Sequence, residues 1–331
     1  MSWSTGLCDK TMKLLITGTG SLAKRIMHRF KDKYDKIVVV SRGETTHLDL
    51  PPWVIGEIGD VRDYDRLDYL FKTYKPDVCI HTAAFKVLGL MQRYVTECIK
   101  TNVLGTDNIA RACQYYDVKQ SLLIGTDKSC NPVHNQIYGL SKSVARATYV
   151  DYSARPSNTN FLITLYGNIS KSKNSMLLKW EKLINNDEEI VVYHKDLTRF
   201  MFSLDDSVDL IEKTLNYNIN GATTIPIMNS YRVLDIAEAL GIVLGKKPRI
   251  KVLNKLLPGE KMHEEMTSIH EQHLIYWLDQ KTLCVLPSFD VDYDYSKIKK
   301  NPYEGPMLTS DKFIDTNIDN IVKLINRSYT D

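Results

Sequence analysis

Residues 13–31 read KLLITGTGSLAKRIMHRFK. Lys13–Thr17 is a continuous apolar run with a threonine at its end, the pattern of a strand buried on both faces. Gly18-Thr19-Gly20 turns the chain, and Ser21–Lys31 has the spacing of an amphipathic helix. A G-x-G-x-x-A pattern alone is common in tight turns. At a strand-to-helix junction its parts have separate uses. Gly18 makes the turn, Gly20 leaves room for a pyrophosphate, and Ala23 lets helix and strand pack closely. Thr19, Ser21 and Leu22 complete a loop whose backbone N–H groups, at a helix N-terminus, suit an anion. The stretch predicts a dinucleotide-binding unit.

The rest of the first half extends that unit. Strands are expected at Lys36–Ser41, Val54–Gly59, Asp77–His81, Gln120–Gly125 and Asn160–Tyr166. Helices are expected between them at Tyr64–Tyr74, Val95–Tyr115 and Tyr138–Tyr152. Such alternation implies an α/β fold, a doubly wound parallel sheet of Rossmann type. The second half is less regular. Asp205–Asn216 and Val233–Leu244 read as helices, and Ile314, Ile318, Ile321, Val322 and Ile325 as one apolar helical stripe facing a core. We expect residues 11–168 and about 197–225 to form the nucleotide-binding domain. Residues 169–196 and 226–331 would form a smaller, discontinuous C-terminal substrate lobe.

Composition narrows the function. The 331 residues are 43% hydrophobic and 25% charged, with 43 Lys and Arg against 40 Asp and Glu, a net charge of +3. Near-balance argues against a dedicated nucleic-acid or membrane-surface binder, and no apolar run approaches the ~18 residues of a membrane span. The N-terminus lacks a signal-peptide pattern, and the six cysteines form no C-x-x-C pair. We expect reduced, buried thiols, no metal, and a soluble cytoplasmic protein. His263, His270 and His273 could share a helical face, but without ligand spacing they read as exposed histidines.

Later strand ends carry the chemistry. Val40-Ser41-Arg42 places a hydroxyl and a guanidinium where NAD-preferring sites usually hold an acid, so NADP is expected ahead of NAD. Asp60, beside Val61, is placed to accept from an adenine amino group, and the small Ala83 and Ala84 let backbone approach the cofactor. Tyr138-Gly139-Leu140-Ser141-Lys142 has Y-x-x-x-K spacing, which puts both side chains on one helix face. A phenol is a poor base at neutral pH unless nearby cations lower its pKa, here the Lys142 ammonium and a cationic nicotinamide. Just before it, Thr126-Asp127-Lys128 ends a central strand. A simple alcohol dehydrogenase needs only the hydroxyl there; an acid and an amine beside it suggest further proton transfers.

On these residues the chain resembles the extended short-chain dehydrogenase/reductases. Within them it resembles the soluble UDP-N-acetylglucosamine 4,6-dehydratases that invert C5, the polysaccharide-biosynthesis type. The resemblance runs from about Lys13 to Met266. It is carried by GTGSLA, VSRGE, GDVRD, HTAAFK, ECIKTNVLGT, TDKSCNP, YGLSK, YGN, LTRF and PGEKMHE. It implies NADP-dependent dehydration of UDP-N-acetylglucosamine by an internal redox cycle, giving a UDP-linked 2-acetamido-2,6-dideoxy-4-keto-hexose. Tyr138 would take the C4 hydroxyl proton, Lys142 would bind the nicotinamide ribose, and Thr126 would hold the C4 oxygen. Lys128 would remove the C5 proton as a neutral amine, and Asp127 would protonate the departing C6 hydroxyl.

The resemblance also places Lys86 and Asn102 near the cofactor, sugar and active-site backbone. Asn168, Arg199 and Glu260 fall at substrate positions, Arg199 as a cation for the UDP diphosphate. It further implies a homo-oligomer, dimer or hexamer. Departures are visible. The glycine loop is one residue shorter than the family's, and family arginines before YGN and PGEK are Leu165 and Leu257. Lys173 or Lys255 would have to compensate as point charges. A UDP-glucose 4,6-dehydratase or UDP-sugar 4-epimerase is the alternative, and a silent NADP-binding sensor or scaffold a remote one. Heavy use of Lys, Asn, Ile and Tyr suggests an AT-rich bacterial or large-virus genome, with a host-cytoplasm location if viral.

Overall fold

The computed structural model describes residues 12–172 and 175–327. The strands, in chain order, are β1 (Lys13–Thr17), β2 (Lys36–Ser41), β3 (Val54–Ile58), β4 (Val78–His81), β5 (Gln120–Ile124) and β6 (Asn160–Thr164). They continue with β7 (Asn168–Ile169), β8 (Glu189–Val192), β9 (Thr198–Phe202), β10 (Thr223–Pro226), β11 (Ser230–Arg232), β12 (Arg249–Val252), β13 (Ile275–Asp279) and β14 (Thr282–Val285). One nine-stranded sheet runs β13-β14-β10-β6-β5-β4-β1-β2-β3. Pairing is parallel from β3 through β10. The order reverses between β1 and β4, so the ends of β1 and β4 part there and open the crevice in which such sheets bind ligands.

The apolar strands bury both faces. Leu14, Ile16, Val39 and Ile80 meet the helices Ser21–Phe30 and Leu204–Tyr217 on one side. Leu15, Cys79, Leu123 and Phe161 meet Tyr64–Tyr74, Gly105–Tyr115 and Ile137–Ser153 on the other. Each such side chain, fully buried, contributes ~1.5–3 kcal/mol. These elements match the sequence expectations to within a residue or two. Three expectations need correction. Val95–Tyr115 is not one α-helix, because a π-turn at Lys100–Leu104 interrupts it. Ile314 precedes the last helix, Ile318–Arg327, and lies beside Ser230 in a bridge instead. The three histidines share no helical face: His263 lies outside any helix and bonds Thr198, while His270 and His273 lie in a short 3-10 segment.

The antiparallel hairpin β13–β14 on the sheet edge was not expected from the sequence. The smaller lobe is built on the sheet β11-β9-β7 and the parallel pair β8–β12, so β9, expected in the nucleotide-binding domain, pairs within the lobe, while β13–β14, expected in the lobe, joins the main sheet. Three helices, Met176–Asn185, Val233–Leu244 and Ile318–Arg327, enclose its core of Leu177, Trp180, Ile190, Ile236, Leu240, Ile321 and Ile325. The stripe residues Ile321 and Ile325 are therefore core. Cys79, Cys98, Cys113, Cys130 and Cys284 are free and buried, and Cys8 lies outside the described residues. No helix among the described residues is long and apolar enough to cross a membrane.

Candidate active site

A cleft of about 1350 Å³ runs between the C-terminal strand ends and the smaller lobe. That exceeds the ~300–1,000 Å³ of an ordinary ligand pocket and has room for two ligands side by side. Its near end holds Gly18, Thr19, Gly20, Ser21, Leu22, Ala23, Ser41, Arg42, Asp60, Val61, Ala83 and Ala84. Gly18 has φ +91 and packs a Cβ-sized gap from Thr82 and Ala83, so the turn needs a glycine. Beside Gly20 the space a Cβ would occupy is open, and Gly20 caps its helix without a side-chain bond. The open space beside Gly20, at the N-terminus of its helix, fits the pyrophosphate of a dinucleotide.

Two expectations shift here. The Asp60 carboxylate already accepts from Arg62 at Nε (2.9 Å) and Nη2 (2.6 Å). Burial would raise its pKa, but Arg62 and Arg42 hold it below the usual range, so it serves Arg62 before any adenine. Arg42 stands 3.8 Å from Asp60 with more than half its side chain exposed. Next to it, the Ser41 hydroxyl is tied to Thr46 (3.1 Å) and His47 (3.0 Å).

Mid-cleft, Lys86, Thr126, Lys128, Tyr138, Lys142 and Asn168 share the wall. The helix Ile137–Ser153 approaches the Thr126–Lys128 loop closely enough that a Cβ on Gly139 would lie 2.3 Å from the Lys128 carbonyl oxygen. The small residue after Tyr138 thus lets this helix pack against the loop that carries Lys128. Lys142 donates to the Ile124 carbonyl at 2.6 Å, and burial lowers its amine to about 8. Burial pushes the Tyr138 phenol up to about 12, with the Lys128 ammonium opposing and Asp127 adding. Lys142, expected to lower it, is not among the leading influences on the phenol, and its ammonium is turned to the Ile124 carbonyl.

Asp127 is fully buried and does not reach the cleft wall. Its Oδ1 accepts from Thr126 Oγ1 (2.9 Å) and Lys128 Nζ (3.1 Å), while its Oδ2 has no partner. Burial raises its pKa, Lys128 opposes, and Glu264 adds to the rise. For Lys128 the expectation was a neutral amine. Burial does push it down, but Asp127 and Glu264 more than reverse this and hold it above the ordinary lysine value. Asn102 does not line the cleft either. It is 1% exposed, accepts from the Phe85 N–H (2.7 Å) and donates to the Phe85 carbonyl (3.0 Å) and Ser141 Oγ (3.0 Å).

The far end holds Arg199 and Glu260 with Met176, Trp180, Tyr193 and Leu257. Arg199 is not a free cation. Nη1 donates to Thr198 O, and Nη2 donates to Glu260 Oε1 (2.8 Å) and Lys261 O (3.1 Å). Lys173 lies outside the described residues. The residue that sequence reasoning missed is Glu264, the last letter of PGEKMHE. Its signal was inside a quoted motif, but nothing in the spacing said that it would reach Lys128. Trp180 and Tyr193 had no sequence signal.

A family model described as polysaccharide biosynthesis protein matches residues 14–283. The chain is 33% identical over 301 residues to a UDP-N-acetylglucosamine 4,6-dehydratase (inverting) of Campylobacter jejuni, covering 87% of each. It is 30% identical over 277 residues to a UDP-glucose 4-epimerase of Rickettsia bellii, covering 80% of this chain and 79% of that one. Among solved structures, Pen from Bacillus thuringiensis superposes with a TM-score of 0.86 at 24% identity, covering 97% of this chain and 98% of that one; this likeness is one of fold.

Proposed function

Because the chain belongs to the polysaccharide biosynthesis protein family, we propose that it is a nucleotide-sugar 4,6-dehydratase acting on UDP-N-acetylglucosamine with NADP. The observation that carries this reading is the convergence of Thr126, Lys128, Tyr138 and Lys142 on one cleft wall, with Asp127 touching two of them. A bound nicotinamide supplies a reversible hydride acceptor. Gly18–Ala23 hold the pyrophosphate, and Ser41 and Arg42 favour a 2′-phosphate. Lys142 holds the ribose.

Tyr138 takes the proton of the C4 hydroxyl, whose oxygen Thr126 orients. The ketone so formed acidifies C5, and Lys128, once neutral, removes the C5 proton. The Asp127–Lys128 pair supplies the proton with which the C6 hydroxyl leaves as water. Positioned acids and bases are each worth ~10²–10⁴-fold. Trp180 and Tyr193 wall the far end, where the nucleotide enters, and Arg199 meets the diphosphate by exchanging Glu260. Return of a proton to C5 from the opposite face inverts that centre, as the name of the Campylobacter relative states for that protein.

Incubation with UDP-N-acetylglucosamine and NADP in heavy water, followed by NMR, tests the reading. A C6 methyl with deuterium at C5 is expected, and coupling constants report the C5 configuration. The Rickettsia relative keeps 4-epimerisation as the second reading; its outcome is a C4 epimer with an intact C6 hydroxyl. Lys128→Ala is expected to permit C4 oxidation and to lower water loss by ~10²-fold or more. Normal dehydration by that variant would overturn the base assignment.

A further inference from the structure

Glu264 reaches the reacting amine from the opposite lobe. Its Oε1 stands 3.4 Å from Lys128 Nζ and 3.6 Å from Arg199 Nε. The residue is 2% exposed and lines the cleft, and its Oε2 is buried with no hydrogen-bond partner. Its backbone is pinned on both sides. The Glu264 N–H donates to Ser310 Oγ, and the Ser310 N–H donates to the Glu264 carbonyl, each at 2.8 Å.

The Lys128 ammonium has three N–H donors on a flexible stem. Three oxygens surround it: Asp127 Oδ1 at 3.1 Å from its own loop, Asn168 Oδ1 at 2.9 Å from β7, and Glu264 Oε1 at 3.4 Å. We propose that Glu264 is a positioning residue for Lys128, fixing the direction of the amine and governing how readily it releases its proton. This rests on the dehydratase reading and deepens it by making the elimination unit a triad.

The two carboxylates are not equivalent. Burial acts to raise both. Lys128, Arg199 and Lys261 hold Glu264 below the ordinary value, whereas Asp127 stays above it. Glu264 is therefore held more firmly as an anion, and Asp127 is the carboxylate that takes up a proton more readily. Before Lys128 attacks, its N–H bond breaks and an O–H bond forms on a carboxylate. The freed lone pair then takes the C5 proton, the C5–H electrons become the C5–C6 double bond, and the C6–O bond breaks as the Asp127–Lys128 pair returns a proton to the departing oxygen, which leaves as water. The other groups facing the amine are Tyr138 on its helix and Arg199 on β9, and Lys261 donates to the Cys130 carbonyl.

The test titrates Lys128 directly. Competitive acetic-anhydride labelling of the whole enzyme, with NADP bound, reads the neutral fraction of Lys128 by peptide mass spectrometry across pH. In Glu264→Gln the labelling at pH 8 is expected to rise at least ~10-fold, one unit of pKa. The acidic limb of C5 deuterium uptake is expected to move to lower pH by the same amount. Glu264→Asp is expected to restore the wild-type profile in part. Glu264→Ala, as a second variant, is expected to recover it with added formate. A Lys128 profile unchanged in both Glu264→Gln and Glu264→Ala would overturn the proposal. The labelling arm needs no substrate. A shifted profile in a protein that dehydrates no nucleotide sugar would leave the positioning role standing and the proposed function fallen.

Discussion

A methyl on Gly18 would sit 3.0 Å from the Thr82 hydroxyl and force a side chain into φ +91, whereas a methyl on Gly20 would touch nothing within 4 Å. The two glycines of one loop thus answer different demands, backbone geometry at the first and ligand approach at the second. Gly18→Ala is expected to destabilise the ligand-free protein by ~1–3 kcal/mol, read as a lower urea midpoint. Gly20→Ala is expected to leave that midpoint unchanged and to weaken dinucleotide binding by ~10-fold or more, about 1.4 kcal/mol, read by calorimetry. At this scale the sequence was informative wherever a residue's role depends on its neighbours along the chain. Gly18, Gly20, Tyr138 and Lys142 are of this kind. It was silent where partners arrive from afar. Arg199 is taken by Glu260 across 61 positions, and Lys128 meets Glu264 across 136; neither pairing is written in local spacing.

Among the elements, strands buried on both faces and helices with one apolar stripe were legible because burial imposes their periods. The π-turn at Lys100–Leu104 was not, since one extra residue in a turn leaves the apolar pattern nearly intact. Its effect is local and specific. It aims the Asn102 amide at both backbone groups of Phe85 and at Ser141 on the Tyr138 helix. The loop carrying Lys86 is thereby tied to the catalytic helix. Asn102→Ala strands the Phe85 N–H and carbonyl, each worth ~1–3 kcal/mol when left unpaired in the interior. The expected result is a lower melting temperature together with faster hydrogen exchange at the Phe85 amide, while amides in β1 and β4 keep their protection. Uniform loss of protection across the sheet would mean that Asn102 acts on the fold as a whole rather than on this junction. The β13–β14 hairpin escaped notice for a different reason. Its alternation is short, and only the pairing of β14 with β10 makes it part of the main sheet.

The whole molecule holds two basic groups, Lys142 in the cleft wall and His81 behind it, in states that ordinary solution would not give them. His81, at the end of β4, lies between Thr17 Oγ1 (2.7 Å) and Thr106 Oγ1 (3.1 Å), and burial, with the Lys142 charge adding, lowers its pKa to about 3. Lys142 is lowered to about 8 by burial. Both are bases whose folded pKa lies below the unfolded one, near 6.5 and 10.5. Wherever the unfolded chain holds more protons than the folded one, stability rises with pH. Two windows follow. As pH falls from about 6.5 toward 3, the neutral imidazole costs the fold progressively. As pH rises from about 8 toward 10, the loss of the buried Lys142 charge favours the fold. At the usual 1.4 kcal/mol per unit the lower window is worth up to about 5 kcal/mol and the upper up to about 3.5 kcal/mol, with a flatter stretch between them. Urea midpoints measured from pH 4 to 10 are expected to show both slopes. Lys142→Met is expected to flatten the upper slope alone, since no ammonium remains to discharge. A slope that survives in Lys142→Met would assign it to another group and leave Lys142 charged in the resting cleft.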